Sequence, residues 1–189
     1  GSTDSTAVIL ERFPELQVIS YAPNRGKGYA LRKAFELACS RNYQHVITLD
    51  SDGQHDAADI ALFLARMKDY PDELIIGSRT LPQEKMRRGS GFANRLSNFW
   101  FRLVTGISLP DTQSGFRLYP LHLLKEMHFY TYRYEFELEI LVRSAWKKIP
   151  VSSIPIRVYY PAPGERISHY RPIKDFLRIS LLNTVFVLL

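Results

Sequence analysis

The sequence predicts an α/β domain built on a mostly parallel sheet. Two features carry that prediction. Short apolar runs alternate with segments whose apolar residues recur at helical spacing, the pattern of strand–helix units. Each early apolar run also ends in polar or glycine-rich sequence, where ligands bind in such sheets.

The elements follow in order. Gln17 to Tyr21 reads as a strand, followed by the loop Ala22 to Gly28. Leu31, Ala34, Phe35 and Ala38 then keep to one helical face. Val46 to Leu49 reads as a short buried strand ending at Asp50. Ile60, Phe63, Leu64 and Met67 mark a second helix, and Leu74 to Ile76 a third strand ending in Gly77-Ser78-Arg79. Gln83 to Arg95 reads as a basic loop, with Lys85, Arg87, Arg88 and Arg95. It enters a helix carrying Phe92, Leu96, Phe99 and Leu103 on one face. A later helix over Glu135 to Lys148 carries Phe136, Ile140 and Trp146. Val151 to Val158 alternates as a half-buried strand.

The bulk numbers narrow the class. A chain of 189 residues, 46% hydrophobic and 13% aromatic, has enough apolar material for one real core and is no solvated linker. The single cysteine, Cys39, excludes an internal disulfide and reads as a small buried helix residue. The net charge of +6 suits an anionic partner. Nucleic acid is not the expected one, because the basic residues are scattered and no recognition helix or stacking platform is present. There is no signal-peptide pattern, and no apolar run reaches the roughly 20 residues a bilayer span needs.

Three polar clusters carry chemistry. Asp50-Ser51-Asp52-Gly53-Gln54-His55 directly follows a strand, and two carboxylates two residues apart suit a hard divalent cation. Asp52, with Gln54 as an oxygen donor, fits a partial shell completed by substrate phosphates. Asp50 could bind the metal through water or reach a ribose hydroxyl. The same residues would also serve as a turn or helix cap. Asn24-Arg25-Gly26-Lys27-Gly28 precedes a helix, where glycines admit a close ligand and the helix start favours anions. It is not a nucleotide-binding Walker loop, since the spacing differs and no Ser or Thr follows the Lys. Asp111-Thr112-Gln113-Ser114-Gly115-Phe116-Arg117 is the third. Asp111 could orient or deprotonate an acceptor, and Arg117 could hold a phosphate as a charged fork. A hydrogen-bonded loop is the plainer alternative.

Taken together and in this order, the clusters resemble glycosyltransferase family 2 with its GT-A fold. The branch that makes dolichyl- or polyprenyl-phosphate sugars is the most similar. Gly1 to Thr6 resembles the tail of the family's D-D-G-S-T-D-x-T segment. Asn24 to Gly28 resembles its N-x-G-K-G, Asp50 to His55 its D-x-D-x-Q-H, and Gly77 to Arg79 its G-S-R. Asp111 to Arg117 resembles its D-x-x-S-G-F-R. Tyr134 to Glu137 sits at the family's aromatic–acidic pair, and Gly164 to Pro172 resembles its late donor-closing loop, with His169 as a contact.

The resemblance implies an α/β Rossmann-like sandwich and inverting transfer from a UDP- or GDP-linked sugar to a membrane lipid, foremost a polyprenyl phosphate. It implies Mg2+ or Mn2+ held by Asp50, Asp52 and Gln54. Asn24, Gly26, Lys27, Gly28, Asp50, Arg79 and His169 would bind the donor, and Asp50, Asp52, Asp111 and Arg117 would form the catalytic set. The family opens with a strand–helix unit and a second strand ending in Asp-Asp, so the expectation is a sheet lacking its first unit. The alternatives are a glycolipid or polysaccharide acceptor, or a domain that binds nucleotide sugar without turnover. The expected organisation is a partial catalytic domain over 1–172 and an apolar helix over 173–189. That helix would lie at the cytoplasmic face of a membrane or begin a span.

Overall fold

The computed structural model describes the backbone of residues 1–79, 88–159 and 172–188, and the side chains of 1–79, 94–159 and 178–188. One four-stranded sheet organises it, from β1 (His45–Thr48), β2 (Leu74–Arg79), β3 (Arg117–Pro120) and β4 (Val151–Ile156), in the order β1-β3-β2-β4. The helices are α1 (Thr6–Leu10), α2 (Lys27–Ser40), α3 (Ile60–Asp69), α4 (Arg88–Thr105), α5 (Leu121–Leu124), α6 (Glu135–Trp146) and α7 (Pro172–Leu188).

The sheet is mixed rather than mostly parallel. β2 and β4 pair parallel, but β3 pairs antiparallel with both β1 and β2. β1, β2 and β4 therefore share one direction and β3 alone is reversed. This reversal brings the start of β3 to the edge where β1 and β2 end. Thr48 and Ile76 both pair with Arg117 in the register.

Alternation along the strands divides the core into two. Leu74, Ile76 and Tyr119 face one side, with Phe35 of α2, Phe101 of α4 and Phe136 and Ile140 of α6. Ile75 and Leu118 face the other, with Phe63 of α3, Phe116 and Ile156. The two-residue period of a strand produces this split without further instruction. Gly77 continues the second face, and a Cβ there would lie 3.1 Å from the Phe63 ring and 2.9 Å from Ile156. The glycine lets the ring lie against the strand.

Three expectations change. Gln17 to Tyr21 pairs with no strand among the described residues, and Val18 and Ile19 are exposed. Strand propensity needs a partner edge to become a strand. Leu64, expected on the buried face of α3, is 48% exposed, because Ile60, Phe63 and Met67 form the side of the helix that packs on the sheet. β2 extends through Gly77-Ser78-Arg79, and α4 begins at Arg88, inside the stretch expected as a loop up to Arg95; the other expected helices and strands fall where the periodicity puts them.

The terminal helix α7 lies against α4 and α6. Its Phe186 is buried in the main core and meets Trp146 edge-on at 5.3 Å between ring centroids. Its other face leaves Leu181, Val185 and Leu188 exposed. No helix among the described residues is long and apolar enough to cross a membrane.

Candidate active site

The polar clusters meet at the shared strand edge. Asp50 lies just past β1, Arg79 ends β2, and the loop from Asp111 leads into β3. Thr48 Oγ1 donates to the Gly115 carbonyl at 2.7 Å, which joins the first of these loops to the last.

Lys27, in the first turn of α2, lies between two acids. Its Nζ is 2.7 Å from Asp50 Oδ1, 3.0 Å from Asp50 Oδ2 and 3.0 Å from Glu137 Oε2. Burial alone would push the ammonium down, but the carboxylates of Glu137 and Asp50 outweigh it and hold it above its ordinary value. Lys27 is therefore a cation at any physiological pH. Glu137 is 7% exposed, and its Oε1 has no hydrogen-bond partner among the described residues.

The glycines of the first cluster have a packing reason. Gly26 has φ +95°, and a Cβ there would lie 2.7 Å from Arg133 Cγ. A Cβ on Gly28 would lie 2.5 Å from Phe136 Cβ and 2.7 Å from the Arg133 carbonyl oxygen. Tyr29 N–H donates to the Tyr132 carbonyl at 2.8 Å. Both glycines thus let the start of α2 abut the start of α6, which sets Lys27 beside Glu137. Asn24 Oδ1 accepts from Gly26 N–H at 2.8 Å and shapes the turn before them.

Asp52 is exposed, and its Oδ1 accepts from Gln54 N–H at 3.1 Å. Gln54 is buried; its carbonyl accepts from Tyr159 N–H at 2.8 Å, and its Nε2 has no partner among the described residues. His55 packs on Phe116 at 5.5 Å between ring centroids. Burial pushes its imidazole below the ordinary value; Asp50 and Asp52 pull upward without reversing this.

Arg79 and Asp111 form a forked ion pair, Nη2 to Oδ1 at 2.9 Å. Arg79 N–H and Gln113 N–H also donate to this carboxylate. Behind it, Thr112 is held by Asn98 and Ser97 of α4, so the loop is anchored to that helix.

Arg117 departs from its expected role. It is fully buried, and its guanidinium donates to the carbonyls of Ser114 at 2.7 Å, Glu137 at 2.6 Å and Thr112 at 2.9 Å. With its fork spent on backbone and no solvent path, it braces the loop and α6 instead of facing a phosphate. His169 and its loop from Gly164 to Arg171 lie outside the described residues, as do Lys85, Arg87 and the side chain of Arg88. Glu137 is the site residue that the sequence left without a role. Its signal was position alone, in the first turn of a helix and at the end of the aromatic–acidic segment Tyr134 to Glu137.

The donors suit a hard cation of partial coordination. Among the described residues no group of three or more His, Cys, Asp or Glu converges as a full protein cage. Asp52 and Asp50 offer carboxylate oxygens two residues apart, the number Mg2+ takes when substrate phosphates complete its shell. Gln54 reaches this pair through its backbone N–H.

A family-wide sequence model described as Glycosyl transferase family 2 matches residues 1–127. The chain belongs to that family. Glycosyltransferase AglJ of Haloferax volcanii is 29% identical over 177 residues, covering 93% of this chain and 56% of that protein. Dolichyl-phosphate beta-glucosyltransferase of Homo sapiens is 28% identical over 175 residues, covering 82% and 52%. The chain therefore spans a little over half the length of these family 2 relatives. The fold is GT-A. Glucosyl-3-phosphoglycerate synthase from Mycobacterium tuberculosis, in complex with phosphoglyceric acid, superposes with a TM-score of 0.65. That match is 19% identical and covers all of this chain and 65% of the other. The same enzyme in complex with Mn2+, UDP-glucose and phosphoglyceric acid gives 0.63 at 20% identity.

Proposed function

We propose that the chain is the catalytic part of an inverting, divalent-metal-dependent glycosyltransferase that moves a sugar from a UDP- or GDP-linked donor to a lipid phosphate, foremost a polyprenyl phosphate, at the cytoplasmic face of a membrane. The observation that carries this reading is the convergence of Asp50, Asp52, Lys27 and Arg79 at one strand edge. Carboxylates for a metal stand there beside cations for a diphosphate. The relatives support the acceptor class, since several carry names for transfer to dolichyl phosphate or undecaprenyl phosphate.

A bound Mg2+ or Mn2+ would neutralise the departing diphosphate, with Asp52 and Asp50 as its protein ligands. Lys27 would supply a second positive charge beside Asp50. A lipid phosphate is already ionised near neutral pH, so the acceptor needs placement more than deprotonation. Asp111 would serve that placement indirectly, since its carboxylate fixes Arg79 and the loop into β3.

The outer faces of α4 and α7 support a lipid surface as partner. Phe99 and Leu103 are exposed on α4, and Leu181, Val185 and Leu188 on α7. Arg95 and Arg102 are exposed among them, and no acidic residue occurs among the described side chains of either helix. Apolar side chains flanked by guanidinium groups match an anionic leaflet. The same α4 holds the Asp111–Thr112 loop through Asn98, about one helical turn or two from Leu103.

The test is calorimetric titration of the chain with UDP-glucose and GDP-mannose, with and without Mn2+, repeated on Asp52→Ala. Metal-dependent binding that disappears in the variant is expected. It is paired with labelled-sugar transfer to polyprenyl phosphate in phospholipid vesicles. Transfer to a glycolipid but not to the lipid phosphate would sink the acceptor assignment.

A further inference from the structure

Lys27 is placed as a counter-ion as much as a ligand. Three carboxylate oxygens surround its Nζ within 3.0 Å, two from Asp50 and one from Glu137. Backbone closes one side of the cluster: a Cβ on Gly115 would lie 2.5 Å from Asp50 Oδ2 and 2.6 Å from Lys27 Nζ. Glu137 is buried in the first turn of α6, where Arg117 holds its main-chain carbonyl. Its second oxygen, Oε1, is buried and has no hydrogen-bond partner among the described residues.

One ammonium cannot balance this set. Asp50 and Glu137 carry two negative charges against one, and Asp52 adds a third two residues away. The Arg117 guanidinium behind Glu137 offsets part of this, and the remaining deficit has the sign that a bound cation relieves. Yet Asp50, one of the two acids expected to take that cation, has both oxygens drawn to Lys27. A hard cation binds a carboxylate oxygen at about 2.1 Å. An ammonium in contact with the same carboxylate would then face strong like-charge repulsion, so the two compete.

We propose that Lys27 is a resident counter-cation, holding Asp50 when no divalent ion is bound and yielding Asp50 to that ion when it arrives. Glu137 is the positioning residue that keeps the displaced ammonium in the site, where it would be available to the diphosphate. This rests on the reading of Asp50 and Asp52 as metal ligands.

The test measures Mn2+ binding without nucleotide, by the loss of the free-ion paramagnetic resonance signal. Lys27→Met keeps the apolar stem and removes the competitor. It is expected to bind Mn2+ at least tenfold more tightly than the unaltered chain, and adding Asp50→Asn should abolish the gain. A Lys27→Met affinity equal to or below that of the unaltered chain overturns the proposal. A second measurement needs no variant: the acetylation rate of Lys27, followed by peptide mass spectrometry, is expected to rise several-fold at saturating Mn2+. A rate that does not rise there overturns it too. The two readings fail differently. If Mn2+ binds the unaltered chain through Asp52 but Lys27→Met gains nothing, only the counter-cation falls. If no form binds Mn2+ even with UDP or GDP added, the metal-dependent reading falls with it.

Discussion

Arg117 Nη1 donates to the main-chain carbonyl of Glu137 at 2.6 Å, which ties the start of β3 to the first turn of α6. The bond spans twenty residues of sequence and sits wholly out of water. It makes one rigid unit of the loop behind Asp111 and the acid that grips Lys27. Arg117→Met should therefore strand the Ser114 and Thr112 carbonyls at once, while that of Glu137 keeps its bond within α6. Each orphaned acceptor costs about 1–3 kcal/mol, so a loss of roughly 2 kcal/mol or more is expected in urea unfolding.

Asp111 is 2% exposed and accepts from Arg79 and Gln113. Asp111→Ala removes the acid from a buried ion pair and leaves the guanidinium without its main counter-charge. Breaking such a pair from one side costs about 3–5 kcal/mol. Thermal or urea denaturation should show a loss of that order, whereas Asp111→Asn, which keeps some acceptor capacity, should lose less.

Gly115→Ala probes the site more than the fold. The added methyl would meet Asp50 Oδ2 and Lys27 Nζ, both at the ends of side chains that can move. Far-ultraviolet circular dichroism should stay unchanged, and calorimetric binding of the nucleotide-sugar donor with Mn2+ should weaken about tenfold, equal to 1.4 kcal/mol.

His55 gives a pH signature. Its folded value is depressed below the ordinary 6.5, chiefly by burial, so the unfolded chain binds a proton that the folded chain refuses. Stability should then rise with pH from the depressed folded value up to about 6.5 and level off above it. Melting temperatures at pH 5.5 and 7.5 measure the slope. His55→Phe should flatten it, and an equal slope in the variant would remove His55 as its source.

Reversing charge on the outer face of α4 tests the lipid surface. Arg95→Glu with Arg102→Glu leaves the core untouched, since both positions are exposed. Partition onto vesicles containing phosphatidylglycerol should fall more than tenfold, with no change in melting temperature. Equal partition of variant and parent would count against an anionic leaflet.

Much of this was legible in local pattern. Leu31 to Ala38 keep a helical face and form α2. Val46 to Thr48 forms a strand that delivers Asp50 to its end, and the order of the polar clusters marks the family. These are matters of spacing along the chain, where backbone geometry turns sequence distance directly into direction. Whether Gln17 to Tyr21 pairs, which way β3 runs, and whether Arg117 faces a phosphate or three carbonyls depend on which distant backbone arrives alongside. Spacing does not encode that. The partnership of Lys27 with Glu137 is the sharpest instance. Two residues more than a hundred positions apart became a single charge cluster only because Gly26 and Gly28 let α2 and α6 touch, and contact, not pattern, decided their chemistry.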